Sequence, residues 1–248
     1  LRQAVGAAGV EVLQFVLNPL ASGDVVLTDT EKQMGVAVCD IGGGTSDLAL
    51  YVDGHVWHTM VLAVGGNHVT NDIAHGLRLP IPTAEEVKKQ YGYALKAEVG
   101  AEETFKVRAF GQETPVEIGR KDMAHIIEAR VEEIFALTLQ EIKRSGYDGL
   151  LPAGMVLTGG TSALPGIQKL ATQVLGMPVR TAQPENLVGL VDQLQSPAYS
   201  TSVGLLHWAA AMTAEDTPSG RGRSRRQPKS ESQIDLSALK AWLKRLLP

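Results

Sequence analysis

Short apolar runs separated by glycine and aspartate turns open the chain, and stretches of helical period follow. Gly35-Val36-Ala37-Val38 and Leu48-Ala49-Leu50-Tyr51-Val52 read as strands, the second closed by the turn signal Asp53-Gly54. A third run, from His55 to Val64, completes the pattern of an antiparallel meander. Met155-Val156-Leu157-Thr158 predicts another strand. A helix is expected from Leu164-Pro165 to about Leu175, with proline just inside its start and Gly176 just past its end. Another helical segment covers residues 67–77. Between these, residues 120–145 carry Ile126, Ile127, Val131, Ile134, Leu137, Leu139 and Ile142 at spacings that give one long helix a broad apolar face. Strands are expected ahead of it near 95–99, 104–110 and 115–118. Residues 1–23 read as a helical scrap, an apolar strand around 10–16, and a helix capped by Asn18 that starts with Pro19.

The turn of the meander carries the most chemistry. Asp40-Ile41-Gly42-Gly43-Gly44-Thr45-Ser46-Asp47 sets two carboxylates, three glycines and two hydroxyls between strands. A Walker loop would need Gly-Lys-Ser/Thr leading into a helix, and a dinucleotide fingerprint a third glycine opening one; here a strand follows. A hairpin whose glycine N–H groups form an anion nest, with Thr45 and Ser46 as added donors, is what the residues allow. Asp40 would repel a phosphate there unless a hard cation such as Mg²⁺ lay between them. The bland alternative is an ordinary glycine-rich hairpin turn. Two more strand-glycine turns, Val64-Gly65-Gly66 and Thr158-Gly159-Gly160, each lead toward a helix and offer places where a ligand can approach the backbone closely.

Composition narrows the class. With 248 residues, 44 % of them hydrophobic, the chain can bury a sizeable core. Cys39 is the one cysteine, which rules out an intrachain disulfide and reads as a buried small hydrophobe. The six histidines, His55, His58, His68, His75, His125 and His207, show no zinc-site spacing. No nucleophile-elbow pattern accompanies the serines. No apolar run approaches the roughly 18 residues of a membrane span. The chain starts at Leu1 without methionine, as a processed protein or a piece of a longer one would.

The net charge of −4 hides an asymmetry, because residues 217–248 hold eight Lys and Arg against two Asp and Glu. That tail is therefore +6 and the remainder −10. Residues 213–233, rich in Ser, Pro, Gly and Arg, read as a disordered linker spanning on the order of 25 Å. Beyond it, with Asp235 as cap, Leu236, Leu239, Trp242, Leu243, Leu246 and Leu247 share an arc of roughly 140°, and Lys240 and Lys244 lie at its edges and back. This is the pattern of a helix lying on an anionic membrane surface. A helix docked on the protein body is the alternative; nucleic acid gives the leucine face no role, and none is expected as a partner.

Four stretches carry a resemblance: residues 40–47, Val-Gly-Gly-Asn-His-Val-Thr-Asn-Asp-Ile-Ala (64–74), Ala-Glu-Glu-Val-Lys (84–88) and Leu-Thr-Gly-Gly-Thr-Ser-Ala-Leu-Pro-Gly (157–166). In this order they resemble the actin-like ATPase superfamily. Thr-Asn-Asp-Ile-Ala, Tyr-Ser-Thr-Ser-Val-Gly-Leu-Leu-His (199–207) and the amphipathic end are similar to its FtsA family of bacterial cell-division proteins. The resemblance implies ATP and Mg²⁺ as ligands: Gly42, Gly43, Gly44, Thr45 and Ser46 on the β- and γ-phosphates, and Asp40 on Mg²⁺ through water. Gly159 and Gly160 would lie against the adenosine with Ser162 nearby, Gly65 and Gly66 would form the third approach, and Glu85 and Lys88 would meet ribose and adenine. Without the resemblance, Glu85 and Lys88 read as a surface i,i+3 salt bridge.

The implied fold is α/β: an actin-like, ribonuclease-H-like domain (1–79 and 147–212, with 1–23 left from a preceding domain), an inserted α+β subdomain (80–146), a disordered linker (213–234) and an amphipathic helix (235–248). The implied function is a scaffold that tethers FtsZ filaments to the cytoplasmic membrane at the division septum. It would receive the FtsZ carboxyl-terminal peptide on the inserted subdomain, with Arg130 as a candidate contact, and self-associate into actin-like filaments. A solvated helix charge is the plain reading of Arg130. The family's first phosphate loop is not found in this sequence, so the chain as given is expected to bind ATP poorly and to be at most a weak ATPase. A sugar or carboxylate kinase of the superfamily, or a pilus-associated or rod-shape relative, remains the rival reading.

Overall fold

The computed structural model describes residues 1–185, 187 and 194–215. The linker and amphipathic-helix expectations, and Leu236 to Leu247 with them, lie outside the described residues apart from 213–215. These three continue the last helix, which runs Ser200–Glu215, so the chain is still helical where the linker was expected to start.

Five strands make the main sheet. The meander forms as expected: β1 (Val36–Ile41), β2 (Ser46–Val52) and β3 (His55–Leu62) pair antiparallel, and the Asp53-Gly54 turn takes positive φ at both residues. β6 (Met155–Thr158) lies parallel to β1 on its other side and β7 (Val179–Thr181) parallel to β6, giving the order β3-β2-β1-β6-β7. A second, two-stranded sheet pairs β4 (Thr104–Val107) with β5 (Val116–Gly119).

Every residue of β1 is buried because both faces of the sheet are covered. On one face Ala37, Cys39, Ile41, Leu48, Leu50, Met155 and Leu157 join a core with α4 (Gly66–Leu77), α5 (Ile81–Tyr91), α6 (Arg120–Ser145) and α7 (Ile167–Leu175). On the other, Val36, Val38, Ala49, Tyr51 and Val156 pack with α2 (Asn18–Val26), which lies between α1 (Arg2–Ala7) and α3 (Asp29–Met34), and with the residue after it, Leu27. Each fully buried Leu or Ile here contributes about 1.5–3 kcal/mol. The Ser200–Glu215 helix, α8, crosses α2 so closely that a Cβ at Gly204 would overlap the Ala21 carbonyl.

The long helix serves two layers. Its amino-terminal half packs Met123, Ile127 and Val131 in one cluster with Phe105 and Val107 of the small sheet, and Phe105 stacks on Tyr91 at 4.9 Å. Its carboxyl-terminal half brings Ile134, Phe135 and Ile142 into the same cluster as the main sheet, and Glu141 meets His58 of β3 at 3.0 Å. Gly146 ends it in the left-handed region, as Gly176 ends α7.

Several local expectations fail for identifiable reasons. Residues 10–16 form no strand: Val10, Leu13 and Phe15 are exposed, and no strand among the described residues pairs with them. Residues 96–98 form a 3-10 turn in place of a strand. Asn18 is the first helical residue, and Leu17 before it caps without a side-chain bond. Pro165 lies ahead of its helix, in the link between a 3-10 turn (Gly160–Ala163) and the Gly166 cap. Leu137 is 36 % exposed and leaves the apolar face of α6, whose buried stripe instead takes in Phe135 and Thr138.

Candidate functional site

Three glycine turns meet at the carboxyl ends of β1 and β6. The hairpin is closed by Gly42 N–H donating to the Thr45 carbonyl at 2.9 Å. Its Gly42 carbonyl accepts from Gly66 N–H at 2.9 Å and from the Thr161 hydroxyl at 2.9 Å, and its Gly43 carbonyl from Asn67 N–H at 2.8 Å. With both carbonyls held this way, the Gly43, Gly44 and Thr45 N–H groups make no hydrogen bond among the described residues.

The glycines here do two different jobs. None of Gly42, Gly43 and Gly44 takes positive φ, so the hairpin does not need glycine for its backbone conformation. A Cβ at Gly44 would meet nothing within 4 Å, and the nearest neighbour of one at Gly43 would be the Asn67 side chain, from 3.2 Å. What these two glycines keep clear is the space outside the loop. Gly65, Gly66 and Gly159 let the turns touch one another: a Cβ on Gly65 would lie 2.8 Å from the carbonyls of both Gly42 and Gly43, and one on Gly66 would overlap the Thr161 hydroxyl. Gly159 takes φ +85°, and a Cβ there would overlap the Asp40 carboxylate and lie 2.6 Å from the Ile41 carbonyl.

Asp40 and Asp47 face each other across β1 and β2, each only 7 % exposed. Asp40 accepts from the Thr201 hydroxyl at 2.7 Å and Asp47 from that of Thr45 at 2.8 Å. Burial pushes the Asp40 carboxyl above its usual range, the Thr201 hydroxyl and then that of Ser22 oppose this, and the charge of Asp47 adds to it. Free N–H groups beside two facing carboxylates suit an anion bridged by a hydrated divalent cation, as a nucleotide phosphate with Mg²⁺ is. Among the described residues no three His, Cys, Asp or Glu side chains gather as a protein-only metal cage.

The other expected residues divide. Ser46 points away from the loop and donates to the Val64 carbonyl at 2.7 Å, tying β2 to the second turn. Ser162 is buried and closes the third turn on the Gly159 carbonyl at 2.8 Å. Gly160 stays open, with Ala198 its nearest neighbour at 3.6 Å from a built Cβ. Lys88, with 13 % of its side chain exposed, donates to the Gly66 carbonyl at 3.1 Å and to Thr70 at 2.8 Å, and pairs with Glu85 at 2.7 Å. Glu85 and Lys88 are therefore more than a solvated surface pair, since they brace the start of α4. Partial burial raises the Glu85 carboxyl, but the bonds from Lys88 and Thr70 outweigh it and the net direction is down. Arg130 lies apart from this site and grips Asp72 of α4 through two bonds, of 2.5 and 3.0 Å, and also Glu133. Burial pushes the Cys39 thiol up to about 12, as expected of an inert core residue. Thr161, Thr201 and Asn67 were missed by sequence reasoning. The first two stand in quoted motifs, but a hydroxyl's partner 119 or 161 residues away leaves no local signal.

A sheet of this order, covered on both faces and carrying three interlocked glycine turns at one end, defines an actin-like protein. The structure superposes on that of MreB5 of Spiroplasma citri bound to ADP with TM-score 0.70 and 20 % identity, over 86 % of this chain and 65 % of that one. It matches a MamK double helical filament with TM-score 0.58 and 19 % identity, over 77 % of this chain and 58 % of the other. Within that class, the family model described as "Cell division protein FtsA" matches residues 37–204. The chain belongs to the FtsA family. It is 42 % identical to "Cell division protein FtsA" of Pseudomonas aeruginosa over 246 residues, covering 98 % of this chain and 58 % of that protein. To the proteins of the same description from Bacillus subtilis and Escherichia coli K12 it is 42 % and 40 % identical, over 84 % and 83 % of this chain and 46 % and 51 % of theirs. The chain thus spans about half the length of the curated relatives it matches. Membership in this family displaces the kinase, pilus-associated and rod-shape readings.

Proposed function

We propose that this chain carries one half of the nucleotide site of a cell-division scaffold that links FtsZ filaments to the cytoplasmic membrane at the septum. The observation that carries the nucleotide reading is the row of free N–H groups at Gly43, Gly44 and Thr45 beside the buried Asp40. In this reading those groups bind the terminal phosphates of ATP, and Asp40 takes Mg²⁺ through its water. Gly159 and Gly160 flank the adenosine, with Ser162 holding their turn, Gly65 and Gly66 form the third approach to the nucleotide, and Glu85 and Lys88 meet ribose and adenine. Bound Mg²⁺ supplies charge neutralisation to the phosphate oxygens. The chain's own residues bind, orient and exclude side chains from the phosphate position.

Family membership supports the rest. Segments 1–79 and 147–212 form the actin-like domain, 80–146 receives the FtsZ carboxyl-terminal peptide beside α6, and copies self-associate into filaments. Any acidic peptide reaching Arg130 has to compete with Asp72 and Glu133. Residues 216–234 act as linker, and 235–248 hold the membrane through Leu236, Leu239, Trp242, Leu243, Leu246 and Leu247, with Lys240 and Lys244 at headgroup level.

Calorimetry of ATP with Mg²⁺, on the natural polypeptide that carries these residues, tests the site. Gly44→Val puts a side chain into space that nothing else occupies. It should abolish binding while leaving circular dichroism and melting as they were. Unchanged affinity in the folded variant would remove the hairpin as the phosphate site.

A further inference from the structure

We propose that Thr201 is a positioning residue for Asp40: its hydroxyl, carried on the first turn of α8, holds that carboxylate in the orientation that serves a hydrated divalent cation. This rests on the nucleotide reading above. The Asp40 carboxylate has its Oδ2 on the Thr201 hydroxyl at 2.7 Å and its Oδ1 against the Gly159 turn. Across the ladder stands Asp47, so two nearly buried carboxylates share one register position and repel each other. A side chain under that repulsion keeps one rotamer only if something holds it.

Thr201 is itself held firmly enough to do so. Next to it, Ser200 shares a hydrogen bond of 2.6 Å with Thr158, the residue beside Asp40 in the parallel β1–β6 register. One residue on, Gly159 N–H donates to the Pro197 carbonyl at 3.1 Å, joining the segment that enters α8 to the third glycine turn. Further along α8, Gly204 seats against the Ala21 carbonyl with no room for a side chain. The start of the helix is thereby fixed to β6, the glycine turn and α2, and Thr201 projects from that frame onto Asp40. The N-terminal end of α8 also favours a negative charge beside it. Ser-Thr at 200 and 201 lies in the 199–207 stretch that the sequence offered only as a family mark.

The test measures ATP affinity by calorimetry on the natural polypeptide, once with saturating Mg²⁺ and once with EDTA. Wild type, Thr201→Val, Thr201→Ala and Thr201→Ser are compared. A lost hydrogen bond to a charged group should weaken Mg²⁺-dependent binding about 10-fold or more in the valine and alanine variants. Affinity in EDTA should stay as in wild type, and serine should restore the Mg²⁺ dependence. An equal fall in both conditions, or no fall in either, overturns the proposal. It is also overturned if the valine and alanine variants fail to fold while the serine variant folds, for the hydroxyl then serves stability alone. Wild type binding ATP without any preference for Mg²⁺ would refute the cation reading of Asp40 itself, and this inference with it.

Discussion

Replacing Gly159 by alanine should cost far more stability than replacing Gly44, although both are turn glycines in the same site. Gly159 sits at φ +85° and ψ +161°, a region that side chains hardly enter. That strain costs about 1–3 kcal/mol. The added Cβ would also overlap the Asp40 carboxylate and crowd the Ile41 carbonyl at 2.6 Å and its N–H nitrogen at 2.7 Å. These atoms belong to the central strand and cannot yield without shifting it, which adds about 1–3 kcal/mol. A total of about 2–6 kcal/mol is a large share of the roughly 5–15 kcal/mol that stabilises a domain. At Gly44 the φ is not positive and nothing lies within 4 Å of the built Cβ. Alanine there should range from neutral to a gain of about 0.5 kcal/mol through the unfolded chain. Urea denaturation of both variants in the natural polypeptide, with the slope checked for constancy, gives the two numbers. Equal losses, or a Gly44→Ala loss above about 1.5 kcal/mol, would refute the division of labour between these glycines.

Three further outcomes are expected. The bond from Arg180 holds the Glu31 carboxyl down at about 2, against 4.5 ordinarily, so its stabilisation is complete above pH 4.5 and is lost as pH falls from there toward 2. Arg180 is 40 % exposed, so screening limits the effect: Glu31→Gln should cost about 1 kcal/mol at pH 7 and converge with wild type near pH 2 in acid-denaturation curves. Leu243→Asp should release the protein from anionic vesicles in co-sedimentation while Ala241→Ser does not; equal sedimentation of the intact protein and one ending at Gln233 would exclude the tether. An FtsZ tail peptide should shift amides beside α6 and bind less tightly at higher salt, and shifts elsewhere with none in 80–146 would reassign its site.

Local pattern made some of this legible and long-range contact hid the rest. The meander, the Asp53-Gly54 turn and the Arg120–Ser145 helix follow from period and punctuation alone, because each is decided by neighbours a few residues away. Residues 10–16 carry the apolar character of a strand, yet none forms there among the described residues, because a strand is decided by a partner that local pattern does not show. Leu137 falls within the predicted stripe of α6, yet the helix buries a slightly rotated face because it must cover the main sheet as well as the small one. At the site, the glycine run marks a hairpin in the sequence, but which glycine needs a left-handed backbone does not show there: positive φ occurs at Gly159 and not in the hairpin. Ser46 is expected as an added donor to the ligand and Ser162 near the adenosine; their hydroxyls staple the turns. Thr161 and Thr201 stayed unseen because the atoms they hold, the Gly42 carbonyl and the Asp40 carboxylate, come from the other end of the chain.

The central claim is that the Gly43, Gly44 and Thr45 N–H groups hold the phosphates of a nucleotide. Amide resonances of the natural polypeptide, followed while ATP is added in the presence of Mg²⁺, test it most directly. These three amides should show the largest shifts and saturate together, at the affinity that calorimetry gives. Saturable ATP binding that leaves all three unmoved would contradict the account.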